Sequence, residues 1–359
     1  MKQITFNQPG IIMSNKTFDT NFDIPTEINR DGLKFYDADN FSVHGIHREN
    51  GRYRRMTAAG AKSVNETIYR ITFDTAGGRV RFMTNATKLA IYAEFDSACK
   101  LSNYSLSATM GFDIYSGERF VGVFVPPFDA STSYESMLSL PYSDGKMHEY
   151  VINYPICSVV KRLLIGIDEN SEILPANEYK ISTPVVFYGS SVTQGACASH
   201  PGNSYENILS RALDFDFINL GFGGNARGEA EMGKYISKIK MSAFVYDYDY
   251  NAPSPDHLRE THETLFKIVR RANPDLPIII LSAPKPYPDE IDLERQSIVY
   301  STYKNACDNG DKNVYYLSGI EIMQSVKNCC LADNIHPGDV GLLAMANALA
   351  PILKTVFSL

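Results

Sequence analysis

The sequence predicts two architectures in series, an all-β sandwich followed by an α/β half built on a doubly wound parallel sheet. Three observations carry this reading. Up to about Asp168 the chain consists of short alternating segments broken by Gly, Pro, Asn and Asp, the pattern of strands joined by turns. From Val185 onward, short apolar runs alternate with stretches whose apolar residues recur at helical spacing, as in a sheet covered by helices on both faces. Between them lies a polar stretch, Glu169 to Ser182, containing Pro175. At 359 residues and 44% hydrophobic content the chain can build two cores, and the expected division is residues 1–175 and 176–359.

In the first half, Lys88 to Phe95 puts Leu89, Ile91, Ala93 and Phe95 on one face and Lys88, Tyr92 and Glu94 on the other, a half-buried strand by its period of two. Phe120 to Val125, Tyr150 to Tyr154 and Arg162 to Ile167 are further strand candidates, and no long helical period interrupts them. In the second half, Val185 to Tyr188, Phe217 to Leu220, Ala243 to Tyr246, Ile278 to Leu281 and Val314 to Leu317 are apolar enough for strands buried on both faces. Helices are expected where Tyr205, Ile208, Leu209, Ala212 and Leu213 recur, and where Leu258, Leu265, Ile268, Val269 and Ala272 precede Pro274. A last helix carries Leu342, Met345, Ala346, Leu349 and Leu353, with a kink expected at Pro351. Such a sheet keeps its site at the carboxyl ends of its strands.

Composition narrows the partners. A formal net charge of -7 with 21% charged residues offers no basic field for phosphate backbones, so no nucleic acid is expected and a neutral or mildly polar substrate fits better. No stretch approaches the roughly 20 apolar residues that span a bilayer, so no membrane span is expected. Met1 to Met13 mixes Gln3, Thr5, Asn7, Gln8 and Pro9 among its apolar residues, unlike a signal-peptide core. That favours a cytoplasmic location, with a periplasmic or secreted one as the alternative if a leader has been removed. The six cysteines, Cys99, Cys157, Cys197, Cys307, Cys329 and Cys330, form no CxxC pair, which argues against a zinc knuckle or redox dithiol motif. They are expected to be mostly buried thiols, and a vicinal Cys329–Cys330 disulfide is disfavoured by its geometry.

Chemistry-bearing residues cluster after the predicted strands. Gly189-Ser190-Ser191-Val192-Thr193-Gln194-Gly195 puts a hydroxyl where the chain must turn, and its glycines permit close approach of backbone to substrate. It lacks the Gly-Lys-Ser/Thr of a phosphate loop and departs from the G-x-S-x-G elbow at Thr193. Asp247 and Asp249 fall on one side of their strand, a pattern that a metal or a glycosidase would use, yet no further acidic partner is evident. No metal or cofactor is expected. His44, His47 and His148 fall in the β half, and His257 and His262 lie on one amphipathic helix, where both are expected to be exposed.

Four blocks together make the second half, residues 183 to 359, resemble the SGNH (GDSL-type) hydrolases. The nucleophile block is similar to their G-D-S-x-T-x-G, Asn219 to Asn225 to their second block, Asp249-Tyr250-Asn251-Ala252-Pro253 to their third, and Asp333-Asn334-Ile335-His336-Pro337 to their D-x-x-H-P. Ser190 replaces the usual Asp and Gly223 the usual Ser, departures that bear on subgroup and tuning. Gly111-Phe112-Asp113-Ile114-Tyr115 looks like the G-x-D-L-Y of a branch in which a β domain precedes the hydrolase. The resemblance implies a three-layer doubly wound fold after a jelly-roll-like sandwich, and a serine esterase acting on O-acyl, above all O-acetyl, esters of carbohydrate. It implies Ser191 as nucleophile, His336 as base and Asp333 as its orienting carboxylate. The oxyanion donors would be the N–H groups of Ser191 and Gly224 and the amide of Asn251, and His200 and Tyr250 are candidates for touching substrate. Two other readings stay open: an acylhydrolase or thioesterase acting on lipid or small esters, and an inactive glycan-binding module. Oligomeric state cannot be read from the sequence.

Overall fold

The computed structural model describes residue 24 and residues 27–359; Met1 to Met13, read above as unlike a signal peptide, lies outside the described residues. Alternation in the first half produces two large antiparallel sheets, beside a small hairpin of His47–Glu49 and Arg52–Arg54. Leu33–Asp37, Val159–Asp168, Lys88–Ser97 and Ser133–Ser139 form one in that order, and Ile173–Pro175, Arg79–Thr84, His148–Asn153, Phe112–Ser116 and Arg119–Phe124 the other, with Ser42–His44 paired to Arg79–Thr84. Leu89, Ile91, Ala93 and Phe95 are buried while Lys88 is exposed, and they share one core with Phe82, Phe112, Ile114, Tyr150 and Ile152 of the facing sheet. Two short helices, Ala58–Val64 and Glu66–Ile71, interrupt this half. Each is under two turns, too short to display a helical period. Each is nucleated by its cap, Thr57 accepting from Gly60 N–H and Asn65 from Ile68 N–H. Their buried residues Ala61 and Ile68, with Met56, join Val186, Tyr188 and Phe244 in the core of the second half.

That second half is a five-stranded parallel sheet in the order Phe215–Gly221, Ile181–Gly189, Ala243–Asp247, Ile278–Leu281 and Val314–Leu317. Successive residues alternate between its faces: Val185 and Phe187 meet helices Tyr205–Leu213 and Asp339–Phe357, and Val186 and Tyr188 meet Ala230–Ile236 and Pro255–Ala272. The strand order reverses at Ile181–Gly189, so the crevice at its carboxyl end is where a ligand site belongs. Ser191 begins there.

Three expectations are corrected. Helix Asp339–Phe357 is, by length and composition, apolar enough to cross a membrane, whereas no such stretch was expected; its Leu342, Met345, Ala346, Leu349 and Leu353 are buried against the sheet. His262 is buried, its ring stacked 4.8 Å from that of Tyr246 and its Nδ1 2.7 Å from Thr302 Oγ1, and burial pushes it down to about 3. Five residues advance a helix by about 140° beyond a full turn, so His257 and His262 cannot share a face. Of the six cysteines, all free, only Cys197 and Cys330 are buried, Cys307 and Cys329 being exposed.

Polar bonds knit the halves together. The buried Arg55 guanidinium pairs with Asp74 at 2.6 Å and donates to Gly221 O at 2.6 Å across the seam. Arg79 pairs with Asp216 at 2.5 Å, and Asp113 of the G-x-D-L-Y stretch accepts from Gly202 N–H at 2.5 Å. Beneath the nucleophile turn, Asp247 accepts from Thr193 Oγ1 and, at 3.3 Å, from Ser190 N–H. A Cβ at Gly189 would collide with both Asp247 and Thr193, which explains the glycine there.

Burial, partly offset by the Thr193 hydroxyl, pushes the Asp247 carboxyl up to about 7. Between the ordinary carboxylate range, about 4, and 7 the folded chain therefore holds a proton that the unfolded chain has lost, and stability contributed by this group declines as pH rises through that window. Asp247→Asn keeps an acceptor for the turn but cannot titrate. Its melting temperature relative to wild type should rise between pH 5 and pH 8; parallel curves for the two proteins would contradict the assignment.

Candidate active site

The nucleophile turn is built by local bonds. Ser190 Oγ accepts from Val192 N–H at 3.2 Å, capping the single turn Ser191–Gln194, and Gly195 ends it at φ 99°. Ser191 Oγ then stands 2.9 Å from His336 Nε2, and His336 Nδ1 stands 2.8 Å from Asp333 Oδ2. The spacing of three residues works because Asp333 folds its own loop: Oδ1 accepts the N–H groups of Ile335 at 2.7 Å and His336 at 2.6 Å, and a bridge between Leu331 and Pro337 closes it. Burial acts to raise the Asp333 pKa, but the His336, Asn103 and Ile335 donors outweigh it and hold the carboxyl well below the usual range. Asp333 is thus an anion at any working pH, and its acceptance from Nδ1–H leaves Nε2 free to take the Ser191 proton.

Gly224 and Asn251 stand together at the rim. Gly224 adopts φ 70°, which suits glycine; its N–H donates to Asn251 Oδ1 at 3.2 Å, and Asn251 Nδ2 donates to Phe222 O at 3.0 Å. Asn251 is therefore oriented, and an entering acyl oxygen would compete with Asn251 Oδ1 for the Gly224 N–H. The Gly223 departure also has a reason. Its N–H donates to Gln194 Oε1 at 2.9 Å, and a Cβ there would lie 3.2 Å from both Gln194 Oε1 and Ser191 Cβ.

Tyr250 Oη donates toward Ile335 O at 3.3 Å and Pro284 O at 3.4 Å. Its ring lines a cavity of about 210 Å³ with Asp249, Lys285, Asp292 and Arg295. His200 faces the β half, with Nδ1 2.5 Å from Asp113 Oδ2 and its ring stacked on Phe120. Asp249 accepts from Ala283 N–H at 2.9 Å, so Asp247 and Asp249 serve separate backbone segments. Ligand-type atoms do converge at Cys197, Asp333 and His336, within 4.8 Å, where burial, then the Asp333 charge, pushes the Cys197 thiol up to about 12.

Sequence reasoning missed the contribution of the β half. Asn103 Nδ2 donates to Asp333 Oδ2 at 2.7 Å, and the Tyr104 ring meets that of His336 edge-on with centroids 5.9 Å apart. Ser105 Oγ donates to Ser199 O at 2.5 Å, fastening this segment to the loop after the nucleophile. Deeper in, Asp74 accepts from Gln194 Nε2 at 3.0 Å, so the Arg55–Asp74 pair reaches Gly223 through Gln194. Arg55, Asp74, Asn103, Tyr104 and Ser105 stand in no recognisable motif; the usable signal was only that a β domain of this branch precedes the hydrolase.

The model of the GDSL-like lipase/acylhydrolase family matches residues 182–354, and that of the N-terminus of SGNH-hydrolase-type esterases matches residues 33–173. The chain belongs to the SGNH (GDSL-like) hydrolase family. It is a carboxylic ester hydrolase of SGNH type, a class of esterases and acyltransferases. Among solved structures, this SGNH hydrolase is similar to a protein described as a GDSL-like lipase from Bacteroides ovatus, with 24% identity, 91% of this chain and 98% of that one covered, and a TM-score of 0.81. A salicylyl-acyltransferase from a tetracycline biosynthetic pathway follows, with 16% identity, 92% and 96% coverage and a TM-score of 0.70. An acetyl xylan esterase from the rumen bacterium Butyrivibrio proteoclasticus has 13% identity, 91% and 99% coverage and a TM-score of 0.58. At these identities the likeness is one of fold across both halves. No curated protein matches the chain in sequence.

If Asn103 positions the Asp333 carboxylate, Asn103→Ala should lower kcat by roughly ten- to a hundredfold through misplacement of the relay, with KM and melting temperature little changed. An unaltered kcat would show that the bond is incidental.

Proposed function

We propose that this SGNH hydrolase removes small O-acyl groups, above all O-acetyl, from carbohydrate hydroxyls through an acyl-enzyme on Ser191. The observation that carries the reading is the unbroken chain of bonds from Asp333 through His336 to Ser191, 2.8 Å and 2.9 Å long. In the first step Ser191 Oγ attacks the ester carbonyl as His336 Nε2 takes its proton, and the imidazolium, stabilised by Asp333, then protonates the departing sugar oxygen. Water repeats the sequence to release the acid. The N–H groups of Ser191 and Gly224 and the Asn251 amide receive the negative oxygen, each such donor being worth about a hundredfold or more in rate.

Two features favour a small acyl group on a large polar alcohol. The rim is open and polar, with Gly224 and Asn103 exposed and Ser191, Asn251 and His336 half-buried, whereas a long acyl chain needs an extended apolar groove. A structural relative across both halves is an acetyl xylan esterase. Tyr250 acts, in this reading, by bracing the His336 loop from behind, and His200 by holding the nucleophile loop against the β half.

Acetate release from acetylated glycans, measured beside hydrolysis of p-nitrophenyl esters of increasing chain length, tests both parts. Acetyl esters should be preferred, and Ser191→Ala should lower kcat by about four orders of magnitude or more with an unchanged melting temperature. A preference for long acyl chains would favour a lipid acylhydrolase, and retained turnover in Ser191→Ala would remove the nucleophile assignment.

A further inference from the structure

The segment that delivers Asn103 and Tyr104 to the relay begins at a pair of thiols. The ladder between Lys88–Ser97 and Val159–Asp168 ends with Ser97 opposite Val159. Beyond that pair the strands end and residues 156–158 form a bend; Cys99 N–H donates to Ser158 Oγ at 3.0 Å, which sets Cys99 beside the Cys157–Ser158 peptide. The two thiols lie close enough to shift each other's ionisation, and both residues are half-buried and unbridged.

Each thiol lies beside a different wall of the site. Four residues after Cys99, Asn103 holds Asp333, and Tyr104, which lies among Cys99, Cys157, Cys197 and Asp333, presents its ring edge to His336. Next to Cys157, Ile156 O accepts from Gln194 Nε2 at 3.2 Å, the side chain that also holds Gly223 N–H. Joining the sulfurs would draw these two walls together.

We propose that Cys99 and Cys157 are an oxidisable pair whose reversible disulfide resets the Asn103–Tyr104 segment against Asp333 and His336 and so slows ester hydrolysis. The effect on rate rests on the reading of Ser191, His336 and Asp333 given above; formation of the disulfide does not. Cys99 is the attacking group, because the neighbouring Cys157 thiol, outweighing burial, holds the Cys99 thiol below the ordinary range, while Cys99 and burial push Cys157 up. With hydrogen peroxide as oxidant, the Cys99 thiolate attacks one oxygen, the O–O bond breaks, and the hydroxide that leaves takes up the thiol's proton as water. The Cys157 sulfur then attacks the Cys99 sulfenic acid, its S–H proton passing to the hydroxyl that leaves as the S–O bond breaks, so that a second water departs. Two thiols lose two electrons to one peroxide, giving one disulfide and two waters.

The test treats the whole protein with stoichiometric hydrogen peroxide, maps disulfides by peptide mass spectrometry and measures kcat and KM before and after dithiothreitol. A Cys99–Cys157 linkage should appear, kcat should fall severalfold with KM nearly constant, and dithiothreitol should restore it. Cys99→Ser and Cys157→Ser should keep wild-type turnover and lose the response to peroxide. Oxidation confined to the exposed Cys307 and Cys329, or an equal loss of activity in Cys99→Ser, would overturn the proposal, as would a mapped disulfide that leaves kcat unchanged. Should Ser191→Ala remain active, the assignment of the catalytic centre fails while the mapped linkage still reports on the thiol pair.

Discussion

The carboxylate of Asp333 is the point on which both halves of the molecule converge. Its Oδ1 is occupied by two backbone N–H groups of its own loop, and its Oδ2 by the His336 ring and the Asn103 amide. Such a set of donors favours the ionised form over the neutral one, fixes the direction of the oxygen that faces His336, and thereby selects the imidazole tautomer. Every later step of the proposed mechanism needs that tautomer, because only a bare Nε2 can take the serine proton.

Around this point the sandwich acts as a structural wall of the site. Its Arg55–Asp74 pair is buried, an arrangement whose desolvation offsets much of its Coulomb attraction, while loss of one partner costs about 3–5 kcal/mol. What the pair secures is position: Arg55 grips the carbonyl of Gly221, and Asp74 orients Gln194, which in turn holds Gly223. The glycine loop that would receive the oxyanion is therefore placed by residues of the β half. The helices Ala58–Val64 and Glu66–Ile71 bind the halves further, since their apolar faces lie in the core of the parallel sheet.

The sequence disclosed what local chemistry determines. Period-two alternation marked Lys88 to Phe95, unbroken apolar runs marked the parallel strands, and the four blocks that resemble SGNH hydrolases marked Ser191, Gly224, Asn251, Asp333 and His336, which the fold brings to one crevice. Contacts that depend on long-range packing left no local trace. Asn103 is an ordinary loop residue until the chain places it beside Asp333, 230 positions away, and Arg55, which stands in no motif, is buried. His262 is buried rather than exposed because helix Glu290–Asp308, distant in sequence, covers it through Thr302. The cysteines were misread because burial of a small side chain is set by the strands and helices around it.

The central claim is that acyl transfer passes through Ser191 under the control of the His336–Asp333 pair. Rapid acid quench during turnover of an acetyl ester, followed by peptide mapping, tests it most directly. One acetyl group should be found on the peptide carrying Ser191 in the wild-type protein, with its formation slowed in Asp333→Asn. An acetyl group carried instead by Cys197, or burst formation of product with Ser191 unmodified, would contradict the account.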